Sequence, residues 1–279
     1  MKLGAHVSIG RGFAAAAAEA VALGCEAMQV FSRSPRGGKA KPIAEEDVSL
    51  MKGSLESAGI RPLAVHVPYY VNLCSPDPRT YEYSVQVLLE DVERAAALGA
   101  SFLVVHPGHG DAGESSGLQR LATALRRACL SAAGGERILI ENTSGQGHEV
   151  GADLDEVARI LEMVGVPDRT GVCIDTCHAL AWGYDLGSDR AVSEFVREID
   201  RAVGLHRVFL VHLNDSKWAM GSRRDRHEHI GRGAIGLAGF KAIVNHEAFR
   251  GLPGVIETPV EDDRSNAANL EVLRGLRSS

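Results

Sequence analysis

The stretch with the most chemical content is Gly171–His178, GVCIDTCH. Gly171–Ile174 reads as a strand covered on both faces, delivering Asp175 at its end and His178 one turn later, at a strand-to-loop boundary. A carboxylate leaving an apolar strand is costly unless it is paired, hydrogen-bonded or coordinated, so the pair points to a site. Other apolar runs end the same way. Leu63–His66 closes on His66, Phe102–His106 on His106, Arg137–Glu141 on Glu141 and Gly254–Glu257 on Glu257, while Arg207–Leu213 brings His212. The loop after His212 adds Asp225 and His227, alternate residues that turn the same way in an extended segment. Leu3–Val7 carries His6 toward the same face.

Imidazoles and carboxylates together suit zinc, manganese or iron, whereas magnesium or calcium favours oxygen donors alone. The candidates His66, His106, Glu141, Asp175, His178, His212, Asp225, His227 and Glu257 are too many for one ion. With about four donors per zinc and one bridging carboxylate, they fit two or three ions and leave positions for water or substrate. His6, His109, His148 and His229 read as supporting residues, and Cys173 as a small core residue rather than half of a metal pair with Cys177. Three divalent ions would leave the four carboxylates and neutral imidazoles at a net +2, suiting a phosphoryl group better than a neutral sugar. Two ions would leave the cluster neutral.

Positioning these residues requires eight strands, the remaining one being Ala27–Phe31. Between and after them lie helical segments at Phe13–Leu23, Glu45–Ser57, Tyr81–Leu98, Leu118–Ala132, Leu154–Met163 (capped by Asp153), Asp189–Val203, Leu237–Asn245 and Asp262–Leu276. The loops after strands are long and chemically rich, and those after helices are short. That asymmetry predicts an α/β fold, a (β/α)8 TIM barrel of one domain over residues 1–279, with its chemistry at the C-terminal face. A doubly wound open sheet would need a switch point and would not bring the strand ends to one centre.

The net charge of -6 over 279 residues gives no general attraction to polyanions. No apolar run is long enough to cross a bilayer, and MKLGAHVSIG leads straight into a strand, so neither a membrane association nor a signal peptide is expected. Five cysteines without a Cys-x-x-Cys pattern predict free thiols in a reducing cytoplasm. The distribution of charge says more than the sum. SRSPRGGKAKP carries Arg33, Arg36, Lys39 and Lys41 with no acid, and the loop after His212 carries Lys217, Arg223, Arg224, Arg226 and Arg232. With Tyr69, Tyr70, Asn72 and Trp218 nearby in sequence, these describe a surface that holds phosphates and offers flat side chains to a duplex.

In GAHVS at Gly4–Ser8, HVPYYVNL at His66–Leu73, HPG at His106–Gly108, IENTSGQG at Ile140–Gly147, GVCIDTCHALAWGYD at Gly171–Asp185, HLNDSK at His212–Lys217, GSRRDRHEHIGRG at Gly221–Gly233 and IET at Ile256–Thr258, the sequence resembles the endonuclease IV family of apurinic/apyrimidinic endonucleases. The resemblance implies a (β/α)8 barrel with three Zn2+ ions, Mn2+ or Fe2+ being substitutes at some positions. It implies cleavage of duplex DNA on the 5′ side of an abasic site to leave a 3′-hydroxyl, and trimming of blocked 3′ ends. By the same resemblance His66 and His106 hold one zinc, bridged by Glu141 to a second that Asp175, His212 and Glu257 complete, while His178, Asp225 and His227 hold the third. Glu141 is the residue on which catalysis centres. Arg36 and Tyr69 match family DNA contacts, and Tyr70 stands where some members have leucine. Gly37 and Gly38 depart from a Gln-Trp pair found in some members. Lys217, Arg223 and Arg226 are the expected contacts from the second basic loop. The abasic nucleotide, stacking poorly, is expected outside the helix during hydrolysis. A monomer suffices to bind a duplex at the barrel mouth. The alternatives are a metal-dependent sugar isomerase or epimerase on the same barrel, and a DNA-binding or scaffold protein without activity.

Overall fold

The computed structural model describes residues 1–110, 115–259 and 265–278. Its strands are β1 (Lys2–His6), β2 (Ala27–Phe31), β3 (Leu63–His66), β4 (Phe102–Val105), β5 (Arg137–Glu141), β6 (Thr170–Asp175), β7 (Val208–His212), β8 (Asp215–Ser216), β9 (His227–Glu228) and β10 (Pro253–Ile256). Its α-helices are α1 (Phe13–Ala22), α2 (Glu45–Ser57), α3 (Pro78–Leu98), α4 (Ser115–Ser131), α5 (Leu154–Val164), α6 (Thr176–Trp182), α7 (Asp189–Ala202), α8 (Gly236–Asn245) and α9 (Asn266–Leu276). Eight parallel strands close into a barrel in the order β1-β10-β7-β6-β5-β4-β3-β2, and β8 and β9 form a separate antiparallel hairpin. The (β/α)8 expectation is met. No helix among the described residues is long and apolar enough to cross a membrane.

Alternation along the strands accounts for the site. Ala64, Val104, Leu139, Cys173, Leu210 and Val255 form one buried cluster inside the barrel, one from each of six strands. Two residues further along each chain come His66, His106, Glu141, Asp175, His212 and Glu257. With a side-chain period of two, an apolar layer therefore plugs the barrel directly beneath a layer of donors. The register includes one irregularity: Val172 pairs with Val208, but Cys173 pairs with Leu210. This bulge sets Asp175 opposite His212. Without it Asp175 would face Val211, whose side chain alternates to the other side of the sheet. Gly171 permits this packing, because a Cβ there would lie 2.4 Å from the Phe209 ring.

Several helix starts follow the sequence reading. Asp153 caps α5 by accepting the Asp155 N–H, and α3 begins earlier than expected because Asp77 caps it and Pro78 sits in its first turn. The expected Asp262–Leu276 helix is found from Asn266, capped by Ser265, and residues 262–264 lie outside the described residues. Two elements were not anticipated. TCHALAW forms α6, so His178 lies on a helix rather than in a loop, and the long loop after β7 contains the β8–β9 hairpin.

The hairpin is tied down by Asp215. This fully buried carboxylate accepts the N–H groups of Ser216, Gly231, Gly233 and Ile235, each at 2.9 Å. Asp215→Ala leaves these donors without their acceptor and is expected to destabilise the fold by about 3 kcal/mol or more. Urea unfolding measures this. A midpoint equal to that of the parent would refute the anchoring role.

Candidate metal centre

All nine predicted donors meet at one end of the barrel. Glu141 lies at the middle: its Oε2 is 3.0 Å from His66 Nε2 and 3.1 Å from His106 Nε2. Its Oε1 is 3.1 Å from His212 Nδ1 and 3.3 Å from His178 Nδ1. On one side, His212 Nδ1 is 3.4 Å from Glu257 and 3.8 Å from Asp175. On the other, Asp225 Oδ1 is 3.3 Å from His178 Nε2 and 3.5 Å from His227 Nε2, and His227 Nε2 is 3.7 Å from Asp175. Asp225 and His227 do turn the same way, as their alternation predicts. Burial is graded: the side chains of Glu141, Asp175 and His212 are fully enclosed, while His106 and Asp225 are 23% and 37% exposed. The cluster therefore opens toward solvent on the His106 and Asp225 side.

The second nitrogen of each ring decides what the first can do. His66 Nδ1 donates to the Val67 carbonyl at 2.6 Å, His178 Nδ1 to the Asn142 carbonyl at 2.9 Å and His227 Nδ1 to the Glu257 carbonyl at 3.0 Å. His212 Nε2 donates to the Gln29 amide oxygen at 2.9 Å. A carbonyl only accepts, so in each neutral ring the other nitrogen presents a lone pair, and here it presents it to a carboxylate. Two lone pairs at such distances repel unless a proton or a cation lies between them. Four donors about 2 Å from a tetrahedral zinc lie roughly 3.3 Å from one another, close to the spacings found. His178 Nε2 is buried without a hydrogen-bond partner, and the groups His66–His106–Glu141, His66–His212–Glu257 and His178–Asp225–His227 each gather their donor atoms within 4.8 Å. The residues fit divalent ions.

The electrostatics agree. Burial alone would raise the Glu141 carboxyl, but His106 and His212 outweigh it and hold it well below the ordinary carboxylate range. Glu257 behaves likewise, with His212 and His6 overcoming its burial. Burial disfavours charge on His178 and His212 too, yet Asp175 and Asp225 raise the first, and Cys173, Glu257 and Glu141 the second, well above the usual imidazole value. Burial lifts the Cys173 and Cys177 thiols to about 12 each, and both are fully buried.

Supporting residues stand behind this layer. Gln29, fully buried on β2, accepts from His212 and donates to Glu257 Oε1 at 2.7 Å. His6 lies beside it, Nδ1 3.2 Å from Glu257 Oε1, in the supporting position expected. Asn214 donates to Asp175 Oδ2 at 2.6 Å and accepts the Glu257 N–H at 2.8 Å, and Asn142 accepts the Asp175 N–H at 2.7 Å. The sequence reading missed these three amides. The available signal was an amide within the apolar run AMQVF, and asparagines close after His212 and Glu141.

Around the mouth, Arg36, Tyr69, Lys217, Arg223 and Arg226 are exposed, with Tyr69 66% accessible. Tyr70 is half-buried and stacks on Tyr83 with ring centroids 6.2 Å apart. Arg33 corrects the sequence reading. It is buried, bonded to Asp91 at 2.7 Å and Glu90 at 2.8 Å, so it anchors its loop to α3 instead of meeting a phosphate.

The family described as Xylose isomerase-like TIM barrel matches residues 17–278. A protein of Cenarchaeum symbiosum named probable endonuclease 4 is 42% identical over 282 residues, covering 99% of each chain. The crystal structure of endonuclease IV from Thermus thermophilus superposes with a TM-score of 0.87 at 35% identity, covering 99% of this chain and 98% of that one. The chain belongs to the endonuclease IV family. A D-tagatose 3-epimerase-like protein also superposes, with a TM-score of 0.72 over 99% of this chain and 97% of its own. At 20% identity that likeness shows the barrel alone. In this chain the stretches His66–Leu73, Ile140–Gly147 and Gly221–Gly233 lie at strand ends and in the loops after them, and Gly171–Asp185 spans β6 and α6, so together they build the cluster and its rim.

Proposed function

We propose that this endonuclease IV family member is a zinc-dependent DNA-repair hydrolase that cuts the phosphodiester 5′ to an abasic site, leaves a 3′-hydroxyl, and trims blocked 3′ ends. The reading rests on one observation. Glu141 is ringed by four imidazoles, and three of these have one nitrogen committed to a carbonyl or amide oxygen while the other faces a carboxylate, an arrangement that calls for cations between the donors. His66, His106 and Glu141 would hold one zinc; Glu141, Asp175, His212 and Glu257 a second; His178, Asp225 and His227 a third. Zinc supplies positive charge for the phosphate oxygens and lets water act as a nucleophile near neutral pH.

The chain's own residues supply the rest. Gln29, Asn142 and Asn214 hold Asp175, His212 and Glu257 at fixed orientations, so that little reorganisation accompanies charge development. The apolar layer beneath the donors keeps water out from below, and the open His106–Asp225 side admits a backbone phosphate. Arg36, Lys217 and Arg226 would take phosphates at the rim, and Tyr69 and Tyr70 would meet the duplex near the missing base. No side chain needs to form a covalent intermediate.

The test is a duplex bearing one abasic analogue, incubated with metal-replete and with chelator-stripped protein, followed by identification of the new termini. A cut on the 5′ side with a 3′-hydroxyl, lost on stripping and restored by zinc, is expected. Equal turnover by rigorously metal-free protein would overturn the assignment.

A further inference from the structure

The segment after β2 is fastened to α3 at both of its ends. At the start, Ser32 Oγ donates to Asp91 Oδ1 at 2.6 Å, and Arg33 Nε donates to the same oxygen at 2.7 Å while its Nη2 reaches Glu90 at 2.8 Å. Arg94 Nε donates to the Ser32 carbonyl at 3.1 Å. At the far end, Arg94 Nη1 donates to the Lys41 carbonyl at 3.0 Å. The exposed Arg36 lies between these two fastenings. A buried ion pair adds little net stability, because desolvation offsets the attraction, but its short charge-assisted bonds fix orientation.

The segment after β3 is fastened to the same helix. Tyr70 stacks on Tyr83 with ring planes 25° apart, and the Asn72 N–H donates to Ser84 Oγ at 2.9 Å. Tyr83 and Glu90, like Ser84 and Asp91, are separated by close to two full helical turns, so each pair lies on one face of α3. The two segments also meet each other, since a Cβ on Gly37 would lie 4.0 Å from the Tyr70 ring. One helix of 21 residues thus carries Arg36 through Asp91 and Arg94, and the Tyr69–Tyr70 pair through Tyr83 and Ser84.

We propose that α3 is a common mount for the two segments, with Asp91 and Tyr83 as positioning residues that make Arg36 and Tyr69 meet the duplex as one unit. The proposal rests on the DNA-hydrolase reading and deepens it, because Asp91 and Tyr83 act only through the segments they hold.

Asp91→Asn removes a negative charge, so charge alone would tighten binding to DNA. The mount requires the reverse. Kd for a non-cleavable abasic duplex should weaken about tenfold and the salt slope should fall by about one, as though Arg36 were lost. Single-turnover incision at saturating duplex should fall less than about threefold, which places the effect in KM. Should Asp91→Asn fail to fold, Tyr83 is 45% exposed and can be truncated without opening the core. In the Tyr83→Ala protein, Arg36→Ala should cost at least about threefold less affinity than it does in the parent, although Tyr83 holds the other segment. Tyr83→Phe should restore the parental coupling. Strictly additive losses, or an Asp91→Asn protein that binds DNA more tightly, would refute the mount.

Trypsin supplies a readout that needs no DNA. Cleavage after Arg36 and Lys39 in the free holoenzyme should quicken on the order of tenfold in Asp91→Asn and in Tyr83→Ala. Unchanged cleavage in both, beside a parent that incises an abasic duplex, removes the mount alone. A metal-replete parent that neither binds nor incises removes the hydrolase reading and the mount with it.

Discussion

Glu141→Gln should lower the single-turnover rate of abasic-site incision on the order of 10³-fold, while Kd for a non-cleavable abasic duplex changes less than about threefold. The asymmetry follows from location. Glu141 is fully buried at the centre of four imidazoles, and the exposed residues that would meet DNA, Arg36, Tyr69 and Lys217, are untouched by the change. The amide removes the charge shared among those rings and presents an N–H group where a cation would sit. Metal content and melting temperature, measured on the same preparation, separate a lost ion from a lost fold. Parallel losses in rate and binding by a well-folded variant would count against the central role of this carboxylate.

Stripping the metals should lower the melting temperature, and the gap between loaded and stripped protein should widen as pH rises. At a thousandfold excess of free metal over its dissociation constant, each ion stabilises the native state by about 4 kcal/mol. In the stripped protein protons stand in for the ions. His178 and His212, raised above 6.5, contribute stability fully below 6.5 and lose it as pH climbs through their folded values. Glu141 and Glu257, depressed below 4.5, contribute fully above 4.5 and lose it as pH falls through theirs. Both contributions are complete between 4.5 and 6.5, and above that window the stripped protein loses the imidazolium charges its carboxylates need. The loaded protein does not, because metal binding strengthens as protons leave the ligands. Calorimetry of both forms from below pH 6.5 to well above it reads the gap directly. A constant or shrinking gap would mean that the donors do not share a common cation.

The ligand layer was legible because each strand end breaks a local rule: an apolar run such as ILIE or VFLVH finishes on a group that resists burial. The barrel was legible for a related reason, since only closure brings six such ends together. What escaped notice was neutral or hidden behind a second role. Gln29 and Asn214 carry no charge and obey no spacing, so their value appears only once His212, Asp175 and Glu257 surround them. Helix α6 was hidden because Asp175 reads as a strand-end carboxylate, while its Oδ1 also accepts the His178 N–H and caps the helix. Arg33 sits in a run of bases, and only its pairing with Asp91, far away on α3, takes it out of the surface charge. Long-range pairing of that kind leaves no trace in local pattern.

Six of the nine donors are placed by strand register and the other three by α6 and the segment around the β8–β9 hairpin. Register is quantised: slipping a strand by one residue turns every side chain to the opposite face, so those six positions tolerate no gradual drift. The hairpin is pinned at its base by Asp215, so lengthening or shortening residues 217–226 would displace Asp225 while leaving the six strand-borne donors where they are. The centre is therefore set in two ways, one part fixed by the cylinder and the other by the length of a segment at its lip.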